Sequence, residues 1–193
     1  MSGAFVIWNR SYREGFCVIT KLEGFNDQWL LLKGVSLDDK WPDNVSFRMS
    51  PQYPKDINLS DNLFGGSYRV VSGRLKEVLL PLAGKSNIEF LPVSILNHKK
   101  RVASKDYFVL NPLDTIDCID QEESGVVWNA IDPSVISNCE KFVLKEDAIP
   151  DESVMFRPRF WGKTILVRRE IADKLAAAGL TGLSFLEPSK YTG

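Results

Sequence analysis

The segment from Thr164 to Pro188 narrows the possible folds more than any other stretch of this chain. Thr164 to Val167 is a short apolar, β-branched run, which predicts a strand. Ile171, Leu175 and Ala178 follow at i, i+4 and i+7, with Ala172 and Ala176 beside them. That spacing draws one apolar stripe along a helix. Glu170 and Lys174 are spaced to pair across one turn, as are Arg169 and Asp173. Gly179 can take the left-handed conformation that ends a helix, with Leu180 folding back on Leu175. Leu183 to Leu186 returns as a second strand, and Pro188 closes it. A strand–helix–strand unit of this size cannot cover its own apolar face, so it must dock on a sheet built by the rest of the chain.

Short apolar runs elsewhere supply that sheet. Phe5 to Trp8, Phe16 to Thr20 and Trp29 to Leu32 read as three strands. Residues 36–66 change character: Pro42, Pro51, Pro54 and the Gly65-Gly66 pair sit among many Asp, Asn and Ser. Trp41, Phe47, Tyr53 and Phe64 fall between them without a period, which predicts loop-rich, aromatic-bearing surface. Val71, Leu75, Val78, Leu79 and Leu82 keep helical spacing over 70–82. Ile88 to Leu96 reads as a strand interrupted at Pro92, hence at a sheet edge or a bulge. Tyr107 to Leu110, Thr115 to Ile119, Val126 to Trp128, Phe142 to Leu144 and Val154 to Phe156 are further short strands. The fold class is therefore α+β: mostly antiparallel sheet, a helix near 70–82 and the strand–helix–strand unit at 164–187. At 193 residues the chain fits either a loop-rich lobe (1–66) with a core domain (67–193), or a single domain.

Charge and cysteine usage remove several function classes. Lys plus Arg is 24 and Asp plus Glu is 25, so no bulk attraction to nucleic acid or anionic membrane follows. Cys17, Cys118 and Cys139 are odd in number and far apart, which speaks for a reducing compartment rather than a disulfide framework. Arg10 interrupts the N-terminal apolar run too early for a signal peptide, and no apolar run reaches transmembrane length. The expectation is a cytoplasmic protein.

Few residues suggest chemistry. His98, the single histidine, lies in the basic turn Asn97-His-Lys-Lys-Arg101, and a histidine-rich zinc site is excluded. A Cys–His pair is arithmetically open, but spacing gives it no support, and Cys17 and Cys118 read as buried hydrophobes. Asp114, Asp117, Asp120, Glu122 and Glu123 form an acidic run with no Lys or Arg from 111 to 124. Such a run could bind a divalent cation or act as an acid–base pair. It lacks the calcium-loop spacing and its central glycine, and a solvated, acidic strand edge is the better account. Residues 156–170 carry Arg157, Arg159, Lys163, Arg168 and Arg169 against Glu170, interleaved with Phe156, Phe160 and Trp161. That mixture can grip phosphates and stack bases, or anchor a protein interface. No P-loop, dinucleotide fingerprint, Gly-x-Ser-x-Gly elbow, His-Glu-x-x-His helix or Cys-x-x-Cys motif occurs.

One pattern in the second half is more specific. Tyr107-Phe-Val-Leu-Asn-Pro-Leu-Asp-Thr-Ile-Asp-Cys-Ile-Asp120, Ser124, Val154-Met-Phe-Arg157, Ile165-Leu-Val167 and Ala178-Gly-Leu-Thr-Gly-Leu-Ser-Phe185 resemble a bacterial family. It is the family of immunity proteins of polymorphic toxin systems first described from a Myxococcus protein, once known only as a domain of unknown function. The first 66 residues carry none of the resemblance. It implies a cytoplasmic antidote in interbacterial competition that binds a cognate toxin C-terminal domain, encoded by a neighbouring gene, and blocks it without catalysis. It transfers no catalytic, cofactor-binding or metal-binding residue, and no membrane or nucleic-acid partner is expected. Oligomeric state stays open.

An inhibitor of this kind needs a rigid scaffold and one fitted surface. Trp41, Tyr53 and Phe64 from the loop-rich stretch, and Arg159 and Trp161 from the basic turn, are the candidate contacts. Two alternatives stay open: a metal-dependent enzyme using the carboxylates of 114–123, and a nucleic-acid-binding module using the basic run of 156–170.

Overall fold

Alternation along the first strand, Phe5–Arg10, shows how the layers are built. Phe5 and Ile7 face one apolar core, Val6 and Trp8 another, and none of the four is more than 3% exposed. Side chains of a strand alternate between faces, so this strand belongs to a sheet covered on both sides. The computed structural model describes residues 3–191 and has that sheet at its centre. Its five strands run in the order Leu183–Leu186, Phe5–Arg10, Leu166–Arg168, Met155–Pro158 and Thr115–Ile116. All neighbours are antiparallel except the last pair.

A second sheet of six strands packs on one of its faces. Its order is Phe64–Gly65, Val18–Glu23, Ser46–Met49, Ile88–Leu96, Val102–Pro112 and Val70–Ser72. The core between the sheets also takes two short helices, α1 (Gly73–Leu79) and α2 (Arg169–Ala177). A third core fills the outer face of the six-stranded sheet, where Phe47, Leu91 and Ile95 are fully buried. A separate two-stranded ribbon pairs Val126–Trp128 with Ile136–Cys139 and leans on the outer face of the five-stranded sheet. The α+β class with mostly antiparallel pairing matches the sequence expectation.

The C-terminal strand–helix–strand unit forms, but Ala176 is exposed and stands off the predicted apolar stripe. Ile171, Ala172 and Leu175 of α2 are buried, Gly179 has φ +66°, and Leu180 packs on the core that holds Leu175. The predicted Arg169–Asp173 pairing yields to a better partner. Arg169 makes a bidentate bond with Glu187, both contacts at 2.7 Å, and so ties the helix start to the last strand.

Four local expectations change. The helix near 70–82 is shorter: Val70–Ser72 is a strand, and the Ser72 hydroxyl caps α1 by accepting the Leu75 N–H at 3.1 Å. Val71, Leu75 and Leu79 still face one core, which is why strand and helix together mimic a single helical period. Trp29–Leu32 lies in a 3-10 turn, not a strand, because the Gln28 side-chain amide donates to the carbonyls of Leu22 and Phe25 and curls the chain. Residues 36–66 are not all surface: Ser46–Met49 is an interior strand, and Val45, Phe47 and Leu63 are core. Glu89 accepts from the Leu37 N–H and the Asn111 amide, pinning the start of that stretch to the long hairpin. Phe142–Leu144 contributes only a single bridge, Ile119 to Leu144.

Pro92 is half of an edge. The strand Ile88–Leu96 runs through it, and the neighbour Ser46–Met49 covers only Ser94–Leu96. The Pro92 carbonyl accepts the Trp41 indole N–H at 2.8 Å on the uncovered side. A residue's N and C=O point to the same side of a strand, so the missing N–H removes no ladder bond.

Candidate functional site

Three segments meet around a cleft of about 680 Å³. Its floor is the turn Pro158–Lys163, which leaves the edge of the five-stranded sheet. One wall is the 3-10 turn ending at Lys33, and the other is the ribbon loop from Asp132 to Ile136. Gly162 lets floor and wall touch: a Cβ there would stand 1.7 Å from the Leu32 carbonyl oxygen. The buried Arg157 guanidinium donates to the Gly162 carbonyl at 2.6 Å and fixes the turn from beneath. Burial without a carboxylate lowers its pKa to about 10. The Ile136 N–H donates to the Phe160 carbonyl at 2.9 Å, and Lys33 meets Asp132 at 3.9 Å, so the ring of segments is closed.

The cleft is aromatic below and positive at its mouth. Phe160 holds a left-handed backbone, φ +68°, with its ring edge-on to Trp128 at 5.4 Å. A bulky side chain in that region is strained, and such strain persists only where surroundings impose it. The Arg159 guanidinium lies 5.1 Å from the Phe160 ring, and the Lys163 ammonium 4.0 Å from the Trp161 ring. Trp29, in the lining, is 58% exposed, and Ile131, next in sequence to the lining residue Asp132, is 95% exposed. Asn129 accepts the N–H groups of Ile131 and Asp132, so the ribbon tip is an ordered turn. Ser134 donates its N–H and hydroxyl to Asp132 and holds that carboxyl below its usual range, with Lys33 adding to the effect.

The Imm11 immunity protein family matches this chain over residues 12–190. The chain belongs to the Imm11 family. The match covers nearly the whole chain, including most of the first 66 residues, where the sequence patterns carry no resemblance. No curated protein matches significantly.

The Imm11 chain places the five expected contact residues at three sites. Arg159 and Trp161 both line the cleft. Arg159 is exposed, but Trp161 is only 1% exposed, packed between Phe142 and Tyr191, so it supports the floor rather than projecting from it. Tyr53 and Phe64 come together around Tyr12, at ring distances of 6.3 and 5.6 Å. There the Tyr12 hydroxyl donates to Asp56 at 2.8 Å, and Arg10 is used up on the carbonyls of Gly65 and Gly66. Trp41 stands apart, half-buried against Phe25.

Several other charged groups of the Imm11 chain are engaged in structural contacts. Asp114 accepts from Asn87, and Asp120 caps the Glu123 N–H and meets Lys145 at 3.9 Å. Among the described residues, no group of three or more His, Cys, Asp and Glu side chains is placed to hold a metal ion. In the basic run, Arg168 donates to the carbonyls of Ser153 and Asp151, and Arg169 pairs with Glu187. His98 Nε2 lies 3.0 Å from the Ser50 carbonyl oxygen. All three cysteines are buried and free, and burial pushes the Cys17 and Cys118 thiols up to about 12. Among the described residues no helix is long and apolar enough to cross a membrane.

Sequence reasoning missed Trp29, Trp128 and Ile131. Trp29 and Trp128 sit inside apolar runs that read as strands, and nothing in a run says which members face out. Ile131 carried a weak signal, a lone apolar residue in the turn Asn129-Ala-Ile-Asp-Pro133.

Proposed function

We propose that this chain binds a cognate toxin domain and neutralises it by occupancy, without catalysis of its own. Membership of the Imm11 immunity family is the observation that carries this reading. The partner is the toxin C-terminal domain of a polymorphic system, encoded by a neighbouring gene, and the antidote acts in the cytoplasm against a secreted or contact-delivered effector. A concave site with the exposed Trp29 in its lining supports the reading, since interfaces draw their anchors from such residues. Arg159 is the contact residue we place first, with Trp161 shaping the floor beneath it; Tyr53, Phe64 and Trp41 lie on secondary faces.

The test is co-expression of the C-terminal domain from the adjacent gene with this chain. The expected result is a stable one-to-one complex on size-exclusion chromatography and restored growth of cells making the toxin. Separate elution together with undiminished toxicity would end the proposal.

A further inference from the structure

The cleft also says what kind of surface fits it. Two of its cations, Arg159 and Lys163, have no carboxylate within 4.0 Å among the described residues. The one acid in the lining, Asp132, is engaged by Lys33 and Ser134. The neighbouring arginines of the same run are also spent, Arg157 on Gly162, Arg168 on backbone carbonyls and Arg169 on Glu187. Both remaining cations lie over aromatic rings, which favours these positions before any partner arrives. A concave wall concentrates the field of such charges, and pre-positioned heads lose less freedom on pairing.

We infer that the cleft takes an acidic segment of a protein partner, with carboxylates on Arg159 and Lys163 and an apolar side chain seated among Trp29, Phe160 and Trp161. This rests on the reading above that the partner is a toxin domain. Arg159 offers the planar fork that matches a carboxylate, and Lys163 offers a point charge beside it. The apolar seat explains why Trp29 stands in water on the free protein. The Trp161 indole N–H is buried in the floor and has no acceptor among the described residues, so its resonance reports on changes in the packing beneath the cleft. Nucleic acid is the poorer occupant, because two cations cannot follow a phosphate backbone and its affinity comes from many such contacts.

The experiment has two arms. In the first, Arg159→Glu and Lys163→Glu are titrated calorimetrically against the toxin domain from the adjacent gene at low and high salt, with Lys105→Glu, an exposed position outside the cleft lining, as the control. Both cations are exposed, so the variants keep the wild-type thermal midpoint. Each reversal is expected to weaken binding about tenfold or more and to flatten its salt dependence, while Lys105→Glu changes it less than about twofold. Reversals that leave affinity within about twofold of wild type overturn the inference without touching the toxin-binding reading. If the wild-type chain binds no toxin domain, that reading falls, and the second arm decides the inference alone. It follows the Trp161 indole N–H by NMR with the peptide acetyl-Asp-Glu-Trp-Asp-Glu-amide and with the analogue in which every acid is Lys. A saturable shift with the acidic peptide only supports the acidic occupant. No shift, or equal shifts with both peptides, removes it.

Discussion

Gly162 fixes how closely the two sides of the cleft approach. Its residue type follows from a contact 130 positions away, since any Cβ would enter the Leu32 carbonyl. We expect Gly162→Ala to destabilise the fold by about 1–3 kcal/mol, read as a lower denaturant midpoint with unchanged slope. A variant as stable as wild type would show that the two segments are not in contact. Arg159 was legible in the sequence as part of a basic–aromatic run. The burial of Trp161 was not, because Phe142 and Tyr191 come from segments with no sequence link to it. Phe160 is a further case: only the hydrogen bond from Ile136 and the turn around it make a left-handed phenylalanine tenable.

Helices and strands were legible where their stop signals are local. Gly179 ends α2 because a left-handed residue closes a helix whatever it packs on. The start of α1 depended on a neighbour. Asp61 accepts from the Thr181 N–H, the Thr181 hydroxyl and the Ser72 hydroxyl, each at 2.8 Å, and from Arg74 at 3.2 Å. It therefore joins the α1 cap to the turn after α2. Burial pushes the Asp61 carboxyl up, but the hydrogen bonds from Thr181 and Ser72 and the charge of Arg74 outweigh it, and the pKa falls below its usual value. A carboxyl depressed in the fold gives its full stabilisation above the unfolded value of about 3.9 and loses it as pH falls through the folded one. Asp61→Asn is expected to cost about 1–3 kcal/mol at neutral pH and to flatten the loss of stability below about pH 4. Thermal melts of both proteins across that range check this, and an unchanged acid slope would show that Asp61 is not among the groups responsible.

At the scale of the whole molecule, the five-stranded sheet mixes early and late chain, and the six-stranded one joins strands from both sides of residue 66. Phe5–Arg10 sits between Leu166–Arg168 and Leu183–Leu186, and Ser46–Met49 sits beside Ile88–Leu96. Removing a central strand uncovers two cores at once, so we expect a chain lacking residues 1–10 to lose its near-ultraviolet circular dichroism. The full chain is expected to unfold in one transition by every probe. Two separated transitions would instead point to a lobe that melts alone. The sequence by itself determined the class of fold, the C-terminal unit, the helix faces and, through family-specific patterns, the immunity family. Those follow from periodicity and stop signals that act within a few residues. Only the tertiary structure decided which aromatics are core and which are surface, and which cations are left without a partner. Both depend on what distant segments bring alongside: Trp29, Asp132 and Arg159 share a cleft because a glycine, a hydrogen bond and a Lys–Asp pair close three separate stretches into one ring.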